Sequence, residues 1–183
     1  MDDFGVMGLA SLAELNYLRL EAMDLFERCL TEGSPACLEA FIEEQLSHEP
    51  PRLELLREVG EDLHQRLLSL REYHYDVLER VWVTLSQDFG MKSEAMDKTQ
   101  IAGAAQIIAQ LRVDNPDLSA DEEALLLKML DTSLSAASQL REDITMTERL
   151  YMCIMDWVDG LNATVARRFW TDSRGSSPST SVH

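Results

Sequence analysis

The 183 residues carry a formal net charge of −17, from 33 acidic and 16 basic side chains. A field of that sign repels phosphate backbones and anionic headgroups, which disfavours direct nucleic-acid or membrane-surface binding. Hydrophobic residues make up 45% of the chain, and the five prolines and eight glycines are too few for a turn-rich strand fold.

The first predicted helix runs from about Leu12 to Leu30. Ser11 and Glu14 have capping-box spacing, and Leu15, Leu18, Ala22, Leu25 and Cys29 step by three and four behind them. Residues 1–10, with Gly5 and Gly8, read as a lead-in whose Phe4, Val6 and Met7 dock locally. Gly33 is a C-terminal stop, and Ser34-Pro35 opens a short second helix reaching about Ser47, with Leu38, Phe41, Ile42 and Gln45-Leu46 on its apolar side. His48-Glu49-Pro50-Pro51 ends it.

A long third helix is predicted over about 52–89. Leu56, Leu63, Leu70, Val77 and Thr84 repeat every seventh residue, and Leu53, Gly60, Leu67, His74 and Val81 form the companion set. Gly60 and His74 interrupt this heptad-like seam, so an ordinary bundle helix fits it slightly better than a free coiled coil. After Gly90, Ser93 caps a fourth helix carrying Met96, Ile101, Ala105, Ile108 and Leu111, with a thin face at Gly103-Ala104-Ala105. The stretch 113–118 is the clearest break.

Ser119 and Glu122 then form a second capping box, opening a helix over about 119–170. Its stripe reads Leu126, Leu130, Ser133, Ala137, Leu140, Ile144, Thr147, Tyr151, Ile154, Val158, Leu161, Val165, Phe169. Residues 173–183 are serine-rich, lack apolar periodicity and read as a disordered tail.

The predicted architecture is all-α: an elongated, partly coiled-coil-like bundle in one domain, residues 1–172, with two long helices braced by three shorter ones. The shorter helices look too short to cover both long seams, and an uncovered length would be an interaction surface. Cys29, Cys37 and Cys153 make no disulfide framework, which points to reduced thiols and an intracellular setting, cytoplasmic or nuclear. The acidic N-terminus is unlike a secretory signal, and no run of about 18 apolar residues exists to span a membrane.

Catalytic chemistry finds little support. Glu61 and His64 share the Glu-x-x-His spacing of carboxylate-bridged metal sites, but no second such pair exists, and His74 reads as a seam residue. No nucleophile elbow and no phosphate-cradling loop is present. Asn162-Ala163-Thr164 matches a glycosylation acceptor by chance inside the last helix, and Ser177-Pro178 is a proline-directed phosphorylation candidate. No cofactor or metal is expected.

The expected function is a non-enzymatic interaction protein, a scaffold or adaptor subunit joined to helical partners, or to itself, through helix–helix contacts. The expected contact residues are Tyr73, Val77 and Trp82 on one long helix, with Trp157, Val158, Leu161, Val165, Phe169 and Trp170 on the other. Two alternatives are an acidic regulatory inhibitor of a basic partner and a metal- or small-ligand-binding bundle. The acidic bias favours the first half of the chain, with 19 acidic and 7 basic residues in 1–90 against 14 and 9 in 91–183.

Overall fold

A computed structural model of the chain describes residues 4–48, 51–92 and 103–175. Among them the fold is all-α, with helices α1 (Phe4–Glu32), α2 (Ala36–Leu46), α3 (Leu53–Gln87), α4 (Ala104–Asp114) and α5 (Ala120–Gly175) and no strand. No helix among the described residues is long and apolar enough to cross a membrane.

The helices assemble into two compact units: residues 1–65 with 146–183, and residues 66–145. The first unit takes its core from four helices. Ala22, Phe26 and Cys29 of α1 and Leu38, Phe41 and Ile42 of α2 meet Leu55, Leu56, Val59 and Leu63 of α3 and Leu150, Ile154 and Val158 of α5. Within this unit α3 and α5 run antiparallel, because Gly60 adjoins Ile154 and Met155 while His64, one turn on, meets Tyr151, one turn back. Gly60 therefore interrupts the heptad for a packing reason. A Cβ there would lie 3.2 Å from Met155 Sδ and 3.4 Å from Ile154 Cγ2, so the bare backbone lets α5 come close.

The second unit has its own core of Val81 and Leu85 from α3, Met91, Ile107, Ile108 and Leu111 around α4, and Leu126 and Leu130 from α5. Its loops are closed by hydrogen bonds that satisfy chain ends. Asn115 Nδ2 donates to the Phe89 carbonyl at 3.3 Å, and Asp114 Oδ2 accepts from the Lys92 amide at 3.0 Å.

The α5 stripe holds as read over Leu126 to Leu161, while the side chains of Val165 and Phe169 lie outside the described residues. Leu126, Leu130, Ala137, Leu140, Thr147, Ile154 and Val158 are buried, and Ser133, Ile144, Tyr151 and Leu161 are partly buried. The expectation of a bare length of seam is corrected for this stretch. Residues of α1, α2 and α4 join the long helices in the two cores, so the seam is occupied within the chain at Leu126, Leu130, Ile154 and Val158.

Three boundaries move. α1 begins at Phe4, not Leu12, so Ser11 sits inside the helix and the Ser11–Glu14 spacing marks no start. Gly5 and Gly8 each cost about 1 kcal/mol of helix propensity but, unlike proline, remove no backbone donor. α5 runs to Gly175, three residues into the stretch read as tail, since nothing before Pro178 stops propagation. The Ser93 cap, Met96 and Ile101 lie outside the described residues, as do 176–183 with Ser177.

The second capping box forms as its spacing predicts. Ser119 Oγ donates to Glu122 Oε2 at 2.6 Å, the Ser119 amide donates to the same oxygen at 2.9 Å, and the Glu122 amide donates back to Ser119 Oγ at 3.3 Å. The hydroxyl and then the amide of Ser119 hold the Glu122 carboxyl below its ordinary pKa. Ser119→Ala should cost about 1 kcal/mol at neutral pH. Because the folded pKa is depressed, the carboxylate's contribution is present above the unfolded value and lost as pH falls through the folded one. Urea titrations of wild type and variant should therefore converge on acidification, and a difference independent of pH would reject the carboxylate's share.

Candidate functional site

The expected contact residues divide between the units. In the second unit Tyr73 is 55% exposed on α3, Trp82 is partly buried against the core, and Val77 lines a shallow cleft of about 240 Å³ between α3 and α5. In the first unit Trp157 is 52% exposed, while Leu161, one turn on, is partly buried. Val158 faces inward, is almost wholly buried in the first core and lines the edge of a cleft there. This follows from its place on the buried stripe with Leu150 and Ile154. The side chains of Val165, Phe169 and Trp170 lie outside the described residues, although α5 continues through them.

Two features of the first unit were not read from the sequence. One is a cleft of about 510 Å³ lined by Arg19 of α1, Glu61, Asp62 and His64 of α3, and Tyr151 and Asp159 of α5. Arg19 organises it. The guanidinium donates through Nε to Asp62 Oδ2 and through Nη2 to Asp62 Oδ1 at 2.6 Å, and Nη1 reaches Glu58 Oε2 at 3.3 Å. The Asp62 hydrogen bond, with the charges of Asp62 and Glu58 behind it, raises the Arg19 pKa further above its ordinary value against the opposing pull of burial. Arg19 sits beside Leu18 and Ala22 on the edge of the α1 stripe, and a long cation in that position is the only sequence hint of the pairing.

His64 places Glu61 and an imidazole on the cleft as the Glu-x-x-His spacing requires. Its ring lies 5.2 Å from that of Tyr151, tilted by 40°, and Nδ1 is buried without a hydrogen-bond partner among the described residues. His74 Nε2 is similarly enclosed. The cleft offers carboxylates and an imidazole as hydrogen-bond or proton acceptors. No group of three or more His, Cys, Asp or Glu side chains among the described residues is arranged to hold a metal ion.

The other feature is a thiol pair. Cys29 and Cys37 bring their Sγ atoms to 3.0 Å. Burial and then the hydrogen bond with Cys37 push the Cys29 thiol up to about 11. Cys153 on α5 is also raised, by burial first and then by the charge of Glu39.

The outer face of α1 exposes two large apolar side chains. Tyr17 and Leu20, both 67% exposed, lie one turn apart on the side opposite Ala22 and Phe26. Exposed Glu21 and Asp24 flank them and make no ion pair among the described residues. Helical periodicity in the sequence does not mark such a face, because the repeating apolar stripe is the buried one. No protein-family model, no curated protein and no solved structure matches this chain.

Proposed function

We propose that this chain is a non-enzymatic interaction protein, a scaffold or adaptor subunit, and that it binds a helical partner on the outer face of α1. The observation that carries the reading is the exposure of Tyr17 and Leu20 on a helix whose inner face is already filled. Folding within the chain leaves these two side chains in water, and covering them with an apolar helix face would recover roughly 25 cal/mol per Å². Glu21 and Asp24 beside them favour a partner whose apolar stripe is bordered by lysine or arginine. Tyr73, Tyr75 and Trp157 are further exposed aromatics that support contacts of this kind.

Replacing Tyr17 and Leu20 together with alanine is expected to weaken binding of the partner at least about 30-fold, the scale of one hot-spot loss of about 2 kcal/mol. Both side chains point to solvent, so thermal stability should change little. The measurement is quantitative binding of wild type and variant to a partner photocrosslinked from position 17. Unchanged affinity in the folded variant would remove α1 as the contact. A chain that yields no crosslink and sizes as a monomer in light scattering would remove the adaptor reading itself.

The charge of −17 supports a second reading, an acidic regulator that captures a basic partner by its field. Salt separates the two. A field-driven complex weakens steeply between low and physiological ionic strength, while an apolar helix face weakens little.

A further inference from the structure

Cys29 and Cys37 stand four residues before and four after Gly33. Gly33 takes the left-handed conformation, φ 65°, and the Ser34 amide donates back to the Cys29 carbonyl at 3.1 Å, closing the end of α1. Pro35 then starts α2, and the Leu38 and Glu39 amides donate to the Pro35 carbonyl at 3.1 and 3.0 Å. A turn built this way folds α2 back along α1, and symmetric positions on its two arms face each other. The thiols consequently meet at 3.0 Å, and Cys37 Sγ is steadied by donating to the Leu25 carbonyl at 3.3 Å. The two sulfurs have different surroundings: Cys29 is wholly buried in the first core, whereas Cys37 is only partly buried.

We propose that Cys29 and Cys37 form a peroxide-responsive dithiol site that closes to an intramolecular disulfide across the α1–α2 turn. Cys37, the more accessible sulfur, meets the oxidant. Its thiolate attacks one oxygen of hydrogen peroxide, the O–O bond breaks, hydroxide leaves, and Cys37 becomes a sulfenic acid. The Cys29 sulfur then attacks Cys37 Sγ. The S–S bond forms, the S–O bond breaks, and the hydroxyl departs as water with the proton from Cys29. Two thiols have lost two electrons and one peroxide has become two waters. The sulfurs need to approach by only roughly 1 Å to reach bonding distance. Closure ties the last turn of α1 to the first turn of α2, and reduction by a small thiol reverses it.

The test uses the full chain, reduced and freed of reductant, treated with hydrogen peroxide, then blocked with N-ethylmaleimide and digested at glutamate without reduction. Cleavage after Glu27, Glu32 and Glu39 places the two cysteines on separate peptides, residues 28–32 and 33–39. The expected result is those peptides linked, two of the three alkylatable thiols lost, Cys153 still alkylated, and full recovery with dithiothreitol. In Cys29→Ala the sulfenic acid should persist at Cys37 and be trapped by dimedone, and in Cys37→Ser the buried Cys29 should stay reduced at the same peroxide dose. Alkylation of all three thiols after peroxide, linkage through Cys153, or linkage between chains would overturn the proposal. The wild-type digest decides it even if a variant fails to fold.

Discussion

Phe26→Ala is expected to lower the unfolding free energy by about 3–5 kcal/mol, the range for emptying a fully buried aromatic site. Against a typical total of about 5–15 kcal/mol, that loss is a large share of the stability of the fold. Phe26 is completely buried in the four-helix core of the first unit, beside Ala22 and Cys29 on the inner face of α1. Three other helices contribute to that core, so α1 cannot settle inward to refill the space without disturbing several contacts. Urea unfolding followed by circular dichroism gives the number, with the transition slope checked for constancy. Tyr17→Ala is the matched control on the outer face of the same helix and should change stability by less than about 0.5 kcal/mol. A Phe26 loss as small as that of Tyr17 would mean that the two faces of α1 are assigned the wrong way round.

Arg52→Ala is expected to cost about 2–3 kcal/mol, for a different reason. Gln45 is almost wholly buried, at 2% exposure, and its Oε1 accepts from Arg52 Nη1 at 3.2 Å. The Arg52 backbone amide also donates to the Gln45 carbonyl at 3.2 Å, and Nη2 donates to Glu14 Oε1 at 2.6 Å. Glu14 is exposed, so its ion pair contributes little. The larger part of the cost is the amide oxygen left buried without its donor. A double-mutant cycle separates the parts. Gln45→Leu together with Arg52→Ala should cost clearly less than the sum of the two single changes, because removing both partners leaves nothing unsatisfied. Strict additivity would show that the guanidinium does not serve Gln45. Arg28→Ala, whose partner Glu32 is exposed on the same helix, should have almost no effect.

What could be read from the sequence was whatever a single helix decides for itself. The α5 stripe from Leu126 to Val158 is the inward face in the structure, because a period near 3.6 leaves one side for the core. The Ser119–Glu122 box is local chemistry within four residues, and it forms. Ser11 and Glu14 have the same spacing but mark no helix start, since a box acts only where the chain is not already helical. Contacts between helices were less legible. The division into two units falls at Gln65–Arg66 and Thr145–Met146, inside α3 and α5, where no proline or glycine marks it. The Arg19–Asp62 pair joins residues far apart in sequence, and a charge beside a stripe does not name its partner. The cysteine pair was closer to reach: Gly33 as a stop and Ser34-Pro35 as a start already imply two arms, and equal spacing on each arm is what sets the thiols together.

The first unit has a further consequence, in the order in which its parts are made. Its core needs Leu150, Ile154 and Val158, which leave the ribosome about ninety residues after Leu63, roughly 5–20 s later at ordinary rates of synthesis. Residues 66–145, by contrast, form one uninterrupted stretch and can close their core first. Throughout that interval Phe26, Leu38, Phe41 and Leu63 wait without their final cover. The nascent chain is then at its most vulnerable to aggregation and to chaperone capture, and a ribosome stalled before codon 150 would hold an N-terminal segment unable to complete its fold.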